Sequence, residues 1–533
     1  MGKKKSVVLM ILLTIVIAVL CAITAFPAFT VPGTNGVKKW NPAVLQYDLG
    51  MELGGGYYTY YYPNGVIPES EYKDELNALK TAEKEAAAEL ADGKITQDEF
   101  DEVQEARQAH EDSYAQVEGI GGLYFSTDED DAVLEETDGK WTVTDAFATA
   151  FDKAVNAIRD RYAAKDYVSH RVSVVNGYSV RIQLAASEET ENYTALSHAS
   201  LAFSNFNKMG ALTILQDDAL VSALEDEDVT AKDLIKSVSI KTKYEVAYLQ
   251  IKFTSAGKTM ISDFKSGDAS ALTLAIGGET LSGISITSDY ITDKNVVEYP
   301  LSYQEDLRYA ETYKILIESA LNTGDIVIGD TDTNFTFRAV SSSEIRTFAP
   351  LFNENVLYFI FGAVVAVMVV LMALAIVKMG RFGVVNVYTN LSYFIIAALC
   401  FAFVTGGVLE LTLGSVLVFL FGLVLINVLH AYTYRAIKKE FSLGKTVESS
   451  VKGGYKKTLW GTVDIYVVLL LGSLALLIGA GGLQTLAIQA IVCVLAAAFC
   501  NLLWGRVINY TFLSASKNKY KYFRFVREDD DDE

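Results

Sequence analysis

Residues 6–27 read SVVLMILLTIVIAVLCAITAFP, an unbroken apolar segment near the start of the chain. A long stretch of mixed polarity follows, and five more apolar segments lie between Val356 and Tyr510. Each is about 20 residues long, the length that a helix needs to cross the hydrocarbon core of a bilayer. We therefore predict six transmembrane helices in a one-plus-five arrangement. This layout is typical of half of a transporter with a head outside the membrane, rather than of a receptor, a channel or a soluble enzyme.

The first apolar segment is predicted to stay in place as an anchor, because it is longer than a signal-peptide core and lacks a clear cleavage site before Thr30. Basic residues then orient the helices, since cytoplasmic loops carry an excess of Lys and Arg. If every segment spans once, all the basic clusters lie on one side. Both termini are thus predicted to be cytoplasmic, and residues 29–352 extracytoplasmic. The clusters are Lys3–Lys5, Lys378 with Arg381, seven residues between Arg435 and Lys457, and Lys517, Lys519 and Lys521.

Composition excludes several classes of function. The net charge of −20 argues against nucleic acid as a partner, because phosphate binding requires a basic surface. All four cysteines, Cys21, Cys400, Cys493 and Cys500, lie in apolar segments, so the head must fold without disulfides. We find no nucleophile–base pair, phosphate-binding loop or metal-ligand spacing. The sequence therefore predicts neither an enzyme nor a cofactor or metal site.

The start of the head contains two β-rich runs and a helical hairpin. The runs, residues 44–53 and 57–62, flank three glycines and are rich in residues that favour strands. Residues 69–117 change to Ala, Glu, Lys, Asp and Gln, and predict two helical arms joined by a turn at Asp92-Gly93. The turn resembles the second half of an EF-hand loop. However, Ala88 and Leu90 stand where the first carboxylate ligands belong, and a tight turn before a helix cap at Thr96 explains the same residues.

Two α+β parts follow the hairpin. The first is predicted to contain a helix, a hairpin of strands with an Asn176-Gly177 turn, a second helix and a strand, an order typical of ferredoxin-like sandwiches. Its elements are placed at residues 143–163, 168–175, 178–184, 190–206 and 211–215. The second part alternates in the same way, with strands at 244–253, 272–276, 283–287 and 326–328 and helices at 255–265 and 302–322.

These elements predict a membrane protein of six transmembrane α-helices with a large extracytoplasmic α+β head of ferredoxin-like subdomains and a helical-hairpin insertion. The predicted boundaries are 1–28 for the first transmembrane helix, 29–68 and 118–218 for the base of the head, 69–117 for the hairpin, 219–352 for the second α+β part, 353–512 for the five-helix domain and 513–533 for an acidic cytoplasmic tail.

Several motifs occur in the order found in the SecD family of the RND superfamily. Residues 49–56, LGMELGGG, resemble the family signature Leu-Gly-Leu-Asp-Leu-x-Gly-Gly in Leu49, Gly50, Gly55 and Gly56, with Glu52 at its acidic position. Further segments resemble head and membrane motifs of the family, and they are residues 248–257, 274–279, 321–325, 411–414, 437–447, 454–458 and 463–464. The chain therefore resembles a divergent SecD over nearly its whole length except the hairpin.

The resemblance implies a role in protein export. SecD works with SecF beside the SecYEG channel in the cytoplasmic membrane, and its head is thought to pull an unfolded secretory polypeptide outward as protons flow inward. It thus implies a SecF-like partner, a SecYEG-type channel, unfolded polypeptide and membrane lipid as contacts, and the proton motive force as the energy source.

The proton-carrying position departs from the family pattern. The family has an Asp in the fourth helix, and an ungapped comparison over residues 411–440 places Val428 there, with His430 at a following Asn position. Asn427, His430 and Tyr434 share one helix face by their spacing, and Asp464 lies near the predicted start of the fifth helix, at a position where the family also has Asp. One interpretation is that His430 takes over the proton relay with Asp464, because histidine titrates near neutral pH. The other is that these residues only pack the helices and that coupling is lost in this half.

Three functions remain open from the sequence. The first is an accessory motor subunit of protein secretion. The second is a structural or chaperone-like subunit of the same assembly without proton coupling, which the valine at position 428 favours. The third is an exporter of small solutes or lipids on the RND scaffold.

Overall fold

The computed structural model describes residues 3–25, 29–30, 39–40, 49–164, 169–186, 194–217, 219–225, 229–244, 246–267, 270–303, 307–329, 333–351, 355–403, 411–479 and 482–516. The chain forms two compact units. The membrane unit comprises Met1–Gly55 and Ala349–Glu533, and the head unit comprises Gly56–Phe348.

The helices of the described residues occur in both units. They are α1 (Lys3–Ala25), α2 (Met51–Gly54), α3 (Glu69–Ala91), α4 (Gln97–Asp112), α5 (Asp145–Tyr162), α6 (Ala195–Phe206), α7 (Ala231–Leu234), α8 (Ser255–Ser266), α9 (Leu307–Thr323), α10 (Asn355–Met379), α11 (Arg381–Phe403), α12 (Leu413–Ser442), α13 (Val447–Leu476), α14 (Gly482–Ala498) and α15 (Gly505–Ala515). A π-helical turn, Phe499–Trp504, joins α14 to α15.

The strands lie almost entirely in the head unit. They are β1 (Phe29–Thr30), β2 (Lys39–Trp40), β3 (Gly56–Tyr61), β4 (Val66–Pro68), β5 (Tyr114–Ala115), β6 (Leu123–Ser126), β7 (Leu134–Thr137), β8 (Lys140–Val143), β9 (His170–Val175), β10 (Ser179–Ala185), β11 (Leu212–Gln216), β12 (Ala219–Leu220), β13 (Ile235–Lys243), β14 (Val246–Phe253), β15 (Leu272–Ile276), β16 (Glu279–Ile286), β17 (Val296–Tyr303) and β18 (Arg346–Phe348).

The membrane unit has six helices that are long and apolar enough to cross a bilayer among the residues described. They are α1, α10, α11, α12, α13 and the continuous segment from α14 through α15. This confirms the predicted one-plus-five arrangement. Small residues let the helices approach closely, as is common between membrane helices. At Gly454 of α13, an added Cβ would lie 2.3 Å from Ile437 Cγ1 and 2.8 Å from Ile437 N of α12.

The base of the head is a four-stranded antiparallel sheet in the order β18-β3-β10-β9. Helix α5 follows β3 in the chain, and α6 follows β10, so the order is strand, helix, strand, strand, helix, strand. Numbered along the chain, these four strands lie in the order 4-1-3-2, which is the ferredoxin-like arrangement that the sequence predicted. The closing strand is β18, however, and the strand predicted at residues 211–215 is β11 of a different sheet. One face of the sheet buries Tyr61, Val180 and Ile182 in the same core as Phe147 and Phe151 of α5.

Two insertions interrupt this base. The first lies between β3 and α5 and carries the predicted helical hairpin, α3 and α4. Gly93 takes a positive φ of 68° in its turn, and Thr96 caps α4 in a reciprocal capping box with Glu99, as predicted. The foot of the hairpin is fixed by a stacked pair, Tyr72 on Tyr124 with ring centroids 3.7 Å apart. A bidentate ion pair from Arg338 to Glu71 adds N–O distances of 3.0 and 2.6 Å.

Replacing Arg338 by leucine should loosen the hairpin foot. The bidentate pair is only half-buried, so its loss should lower the local stability by about 1 kcal/mol. Hydrogen exchange of residues 69–112 in the full-length protein is then expected to rise about fivefold. The matched control is Lys140→Leu, because Lys140 forms an exposed pair with Glu118 and its loss should change nothing. Equal exchange in the two variants would show that the ion pair does not hold the hairpin.

The second insertion lies between α6 and β18. It contains the sheets β12-β11-β15-β16 and β13-β14-β17, which share one continuous hydrophobic core with the base. Arg161 of α5 joins the two parts. Its guanidinium is 1% exposed and donates to the carbonyl oxygens of Phe206 and Lys208 at 2.8 and 2.5 Å, and to Ser319 Oγ of α9 at 2.9 Å. Burial lowers the pKa of Arg161 to about 10, so it remains charged at neutral pH.

Several sequence-based assignments in the head need correction. Within the predicted strand 44–53, residues 44–48 lie outside the described residues, and Met51–Gly54 is a helical turn. The helix predicted over 302–322 begins only at Leu307, because residues up to Tyr303 complete the edge strand β17. Residues 326–328 contain a single bridge between Val327 and Asn334 instead of a strand. Residues 346–348, predicted to belong to the second part, form β18 at the edge of the base sheet.

Candidate functional site in the membrane helices

Helix α12 places the predicted polar residues on one face toward α11. Asn427 accepts a hydrogen bond from Asn386 Nδ2 at 2.5 Å and donates to Asn390 Oδ1 at 2.9 Å. His430 and Tyr434 both contact the ring of Phe382, with centroids 5.1 and 5.5 Å away. The spacing of Asn427, His430 and Tyr434 therefore brings them to a shared surface, as expected from their positions in the sequence.

His430 is the most unusual of these residues. It is 1% exposed, and neither ring nitrogen forms a hydrogen bond of normal geometry with any of the described residues. The ring packs against Gly505, where an added Cβ would lie 3.2 Å from His430 Cε1. A neutral imidazole has one donor and one acceptor to satisfy, so this packing leaves free hydrogen-bonding capacity in an apolar region.

The π-helical turn opposite His430 was not visible in the sequence. It spans Phe499–Trp504 and places Asn501 and Gly505 beside the histidine. Asn501 Nδ2 donates to Tyr466 Oη at 3.3 Å, and Tyr466 Oη donates to the carbonyl oxygen of Ala497 at 3.2 Å. Such turns shift the register of one helical turn and occur frequently at functional sites. Here the turn places polar side chains of three helices at the same level, namely His430 of α12, Tyr466 of α13 and Asn501 of the last transmembrane segment. We call this set the polar layer.

Asp464 and Val428 lie elsewhere. Both side chains are exposed on the surface of the membrane unit, Val428 to 58%. Between α12 and α13, Thr433 Oγ1 lies 3.3 Å from Thr458 Oγ1, and a Cβ added at Gly461 would lie 3.7 Å from Tyr432 Oη. No contact between Asp464 and His430 is found among the described residues. The fold therefore does not bring the two predicted relay partners together within this chain.

The LGMELGGG segment is placed at the N-terminal end of α12. Gly50 N donates to Leu411 O at 3.0 Å, and Leu49 and Leu411 form a bridge. Glu52 accepts a hydrogen bond from the backbone N–H of Leu413 at 3.3 Å through its carboxylate. A carboxylate at this end also suits the positive end of the helix dipole. The motif thus anchors the start of the helix that carries His430.

The backbone requires glycine at the last two positions of the motif, for a different reason at each position. Gly55 has a positive φ of 68°, a conformation that other residues adopt at a cost. Gly56 begins β3, and an added Cβ would lie 1.9 Å from the carbonyl oxygen of Leu184 in the neighbouring strand. The motif residues therefore serve backbone geometry and helix capping.

Comparison with known proteins gives structural neighbours only. The chain is similar to SecDF. One crystal structure of SecDF in a super-membrane-facing form matches with a TM-score of 0.47 and 13% identity over 95% of this chain. A second, of the translocon-associated membrane protein SecDF from Thermus thermophilus, matches with a TM-score of 0.39 and 14% identity over 97% of this chain.

This chain spans 57% and 60% of the length of those two SecDF chains. No family model and no curated protein matches the sequence. Both TM-scores lie below 0.5.

Proposed function

We propose that this chain is an accessory subunit of the Sec protein-export machinery that helps unfolded polypeptides cross the cytoplasmic membrane, together with a SecF-like partner and a SecYEG-type channel. On this proposal both termini are cytoplasmic, the head is extracytoplasmic, and the chain catalyses no chemical reaction. The proton motive force would supply the energy for the movement.

The observation that carries the proposal is the position of the LGMELGGG segment in the fold. This segment suggested the SecD resemblance, and its residues are used together in the fold. Leu49, Gly50 and Glu52 hold the start of α12, and Gly56 begins the central pair of strands in the base of the head. A signature shared by chance would not be expected to serve the fold at every matched position.

An exposed face of α12 and α13 supports a membrane partner. It combines large apolar side chains with the carboxylate of Asp464, which lies within a span predicted to cross the bilayer. A charged side chain facing lipid is costly, and such residues usually face protein or water. We therefore infer that the partner subunit covers this face. Its exposed residues include Leu417, Phe421, Val424, Val428, Tyr432, Trp460, Asp464 and Val468.

Proton coupling through this half is proposed to centre on His430, with Asn427 and Tyr434 as neighbours on the same face. Asp464 is exposed on the membrane unit and His430 is buried, so we propose that a relay that used both would pass through the partner subunit. The alternative is a subunit without coupling, and it is favoured by the valine at position 428 together with the absence of a described His430–Asp464 contact. An exporter of small solutes or lipids remains the third candidate.

Replacing His430 by alanine should abolish rescue of a secretion-deficient strain if this half couples to proton flow. Removal of a proton-transfer group is expected to reduce the secretion rate at least about tenfold at normal abundance. Asp464→Asn should give a similar loss, and Leu374→Ala, a change at an exposed position of α10 that does not belong to the α12–α13 face, serves as the control. Full rescue by both His430→Ala and Asp464→Asn would exclude coupling and leave the structural subunit. Failure of the wild-type chain itself to rescue secretion would contradict the export function.

A further inference from the structure

A small polar cavity lies between α12, α13 and the last transmembrane segment. The cavity volume is about 10 Å³. One ordered water needs roughly 10–15 Å³ on the same measure, so the cavity is large enough for about one water. The polar side chains that line it are Thr433, Tyr455, Thr458, Thr462, Asn501 and Arg506. All three threonines and Asn501 are at most 5% exposed, so the polar lining belongs to the interior of the unit.

The lining has hydrogen-bonding capacity that the residues described in the structure do not fill. Thr458 Oγ1 donates to the carbonyl oxygen of Gly454 at 3.1 Å and lies 3.3 Å from Thr433 Oγ1. Each hydroxyl has one donor and two acceptor sites, so this pair keeps acceptor sites for another molecule. Buried water typically makes about three hydrogen bonds to such groups. The hydroxyls and the Asn501 amide offer that number.

Asn501 places the cavity near His430. Its side chain lines the cavity, and Gly505 on the same transmembrane segment packs against the His430 ring, whose two nitrogens form no normal hydrogen bond with the described residues. Tyr455 and Arg506 are the titratable side chains of the lining, and the Arg506 guanidinium lies 5.8 Å from the Tyr455 ring centroid. No carboxylate belongs to the lining. The cavity therefore suits a neutral polar ligand better than a metal cation.

We propose that this cavity is a binding site for ordered water, held by Thr433, Thr458 and Thr462 and bordered by Asn501. The water completes the hydrogen bonding of a polar layer that crosses three helices. The site is inferred from packing and hydrogen bonding alone, so it stands whether or not the chain takes part in protein export.

X-ray hydroxyl-radical footprinting of the full-length chain in lipid nanodiscs tests the proposal. Bound water near a side chain generates radicals locally, so Tyr455 should be oxidised at least about tenfold faster than Tyr393. Tyr393 is the matched control because it is also buried in the membrane unit and donates to the Phe419 carbonyl oxygen. Equal oxidation rates at Tyr455 and Tyr393 would overturn the proposal.

A second variant separates bound water from water at the protein surface. The double substitution Thr458→Val and Thr462→Val keeps the side-chain shape and removes two hydroxyls, and it should lower the oxidation of Tyr455 several-fold. Thr24→Val is the control, since Thr24 is a buried threonine on α1 whose hydroxyl donates to the carbonyl oxygen of Leu20 in the same helix. Unchanged Tyr455 oxidation in the double variant would show that surface water causes the labelling and would overturn the site.

Discussion

Gly454→Ala is expected to push α12 and α13 apart and to lower the stability of the membrane unit by about 1–3 kcal/mol. The new Cβ would lie 2.3 Å from Ile437 Cγ1, 2.8 Å from Ile437 N and 2.9 Å from Ile437 Cα. A side-chain atom can rotate away, whereas the two backbone atoms belong to a regular helix and move only if the helix moves. Ile437 is fully buried, so no free space accepts the displacement.

The control for Gly454 lies on the same helix. An added Cβ at Gly472 meets no atom within 4 Å, so Gly472→Ala should be neutral or slightly stabilising, because alanine favours helix more than glycine. Thermal denaturation of both variants in the same detergent measures the difference. A Gly454→Ala midpoint equal to that of Gly472→Ala would mean that α12 and α13 do not pack as closely as described.

Arg161→Leu should have the second large effect, and it should be confined to the head unit. Leucine removes hydrogen bonds to the carbonyl oxygens of Phe206 and Lys208 and to Ser319 Oγ. A hydrogen bond to a charged group contributes about 1.5–3 kcal/mol, so the loss of these bonds should cost at least about 3 kcal/mol in total. Because Arg161 joins the base to the second insertion, we expect α6 and α9 to become dynamic together.

Hydrogen exchange detects this change in the full-length protein. A loss of about 3 kcal/mol corresponds to exchange that is more than a hundredfold faster in α6 and α9, while the membrane helices should keep their wild-type rates. Arg159→Leu is the matched control, since Arg159 is exposed two residues earlier on α5. If the two variants exchange alike, Arg161 does not hold the two parts of the head together.

Local rules predicted much of this fold from the sequence. The length and apolarity of the membrane segments identified six helices, and Thr96 marked the start of α4. Asn176 and Gly177 both take positive φ values, 52° and 81°, in the hairpin turn that their identity predicted. Each of these features depends on residues close together in the chain, so the information is local.

Features that depend on distant partners escaped prediction. Strand β18 has three residues and gains its place only by pairing with β3, far earlier in the chain. No strand was predicted over residues 296–301, although β17 contains Pro300 at the edge of its sheet, where a missing N–H is tolerated. In the candidate site, helical spacing placed Asn427, His430 and Tyr434 on one face. It could not show that Asp464 points elsewhere, because that depends on how α13 rotates against α12.

The pairing of β3 with β18 has a mechanical consequence. The chain enters the head at Gly56 and leaves it at Phe348, and these two residues are partners at the end of a ladder of three pairs. A pulling force applied through both connections would load this ladder at one end, so its hydrogen bonds would break one after another and not all at once. Strands loaded in this unzipping direction yield at low force. The stem formed by residues 56–58 and 346–348 would therefore open before the rest of the base sheet.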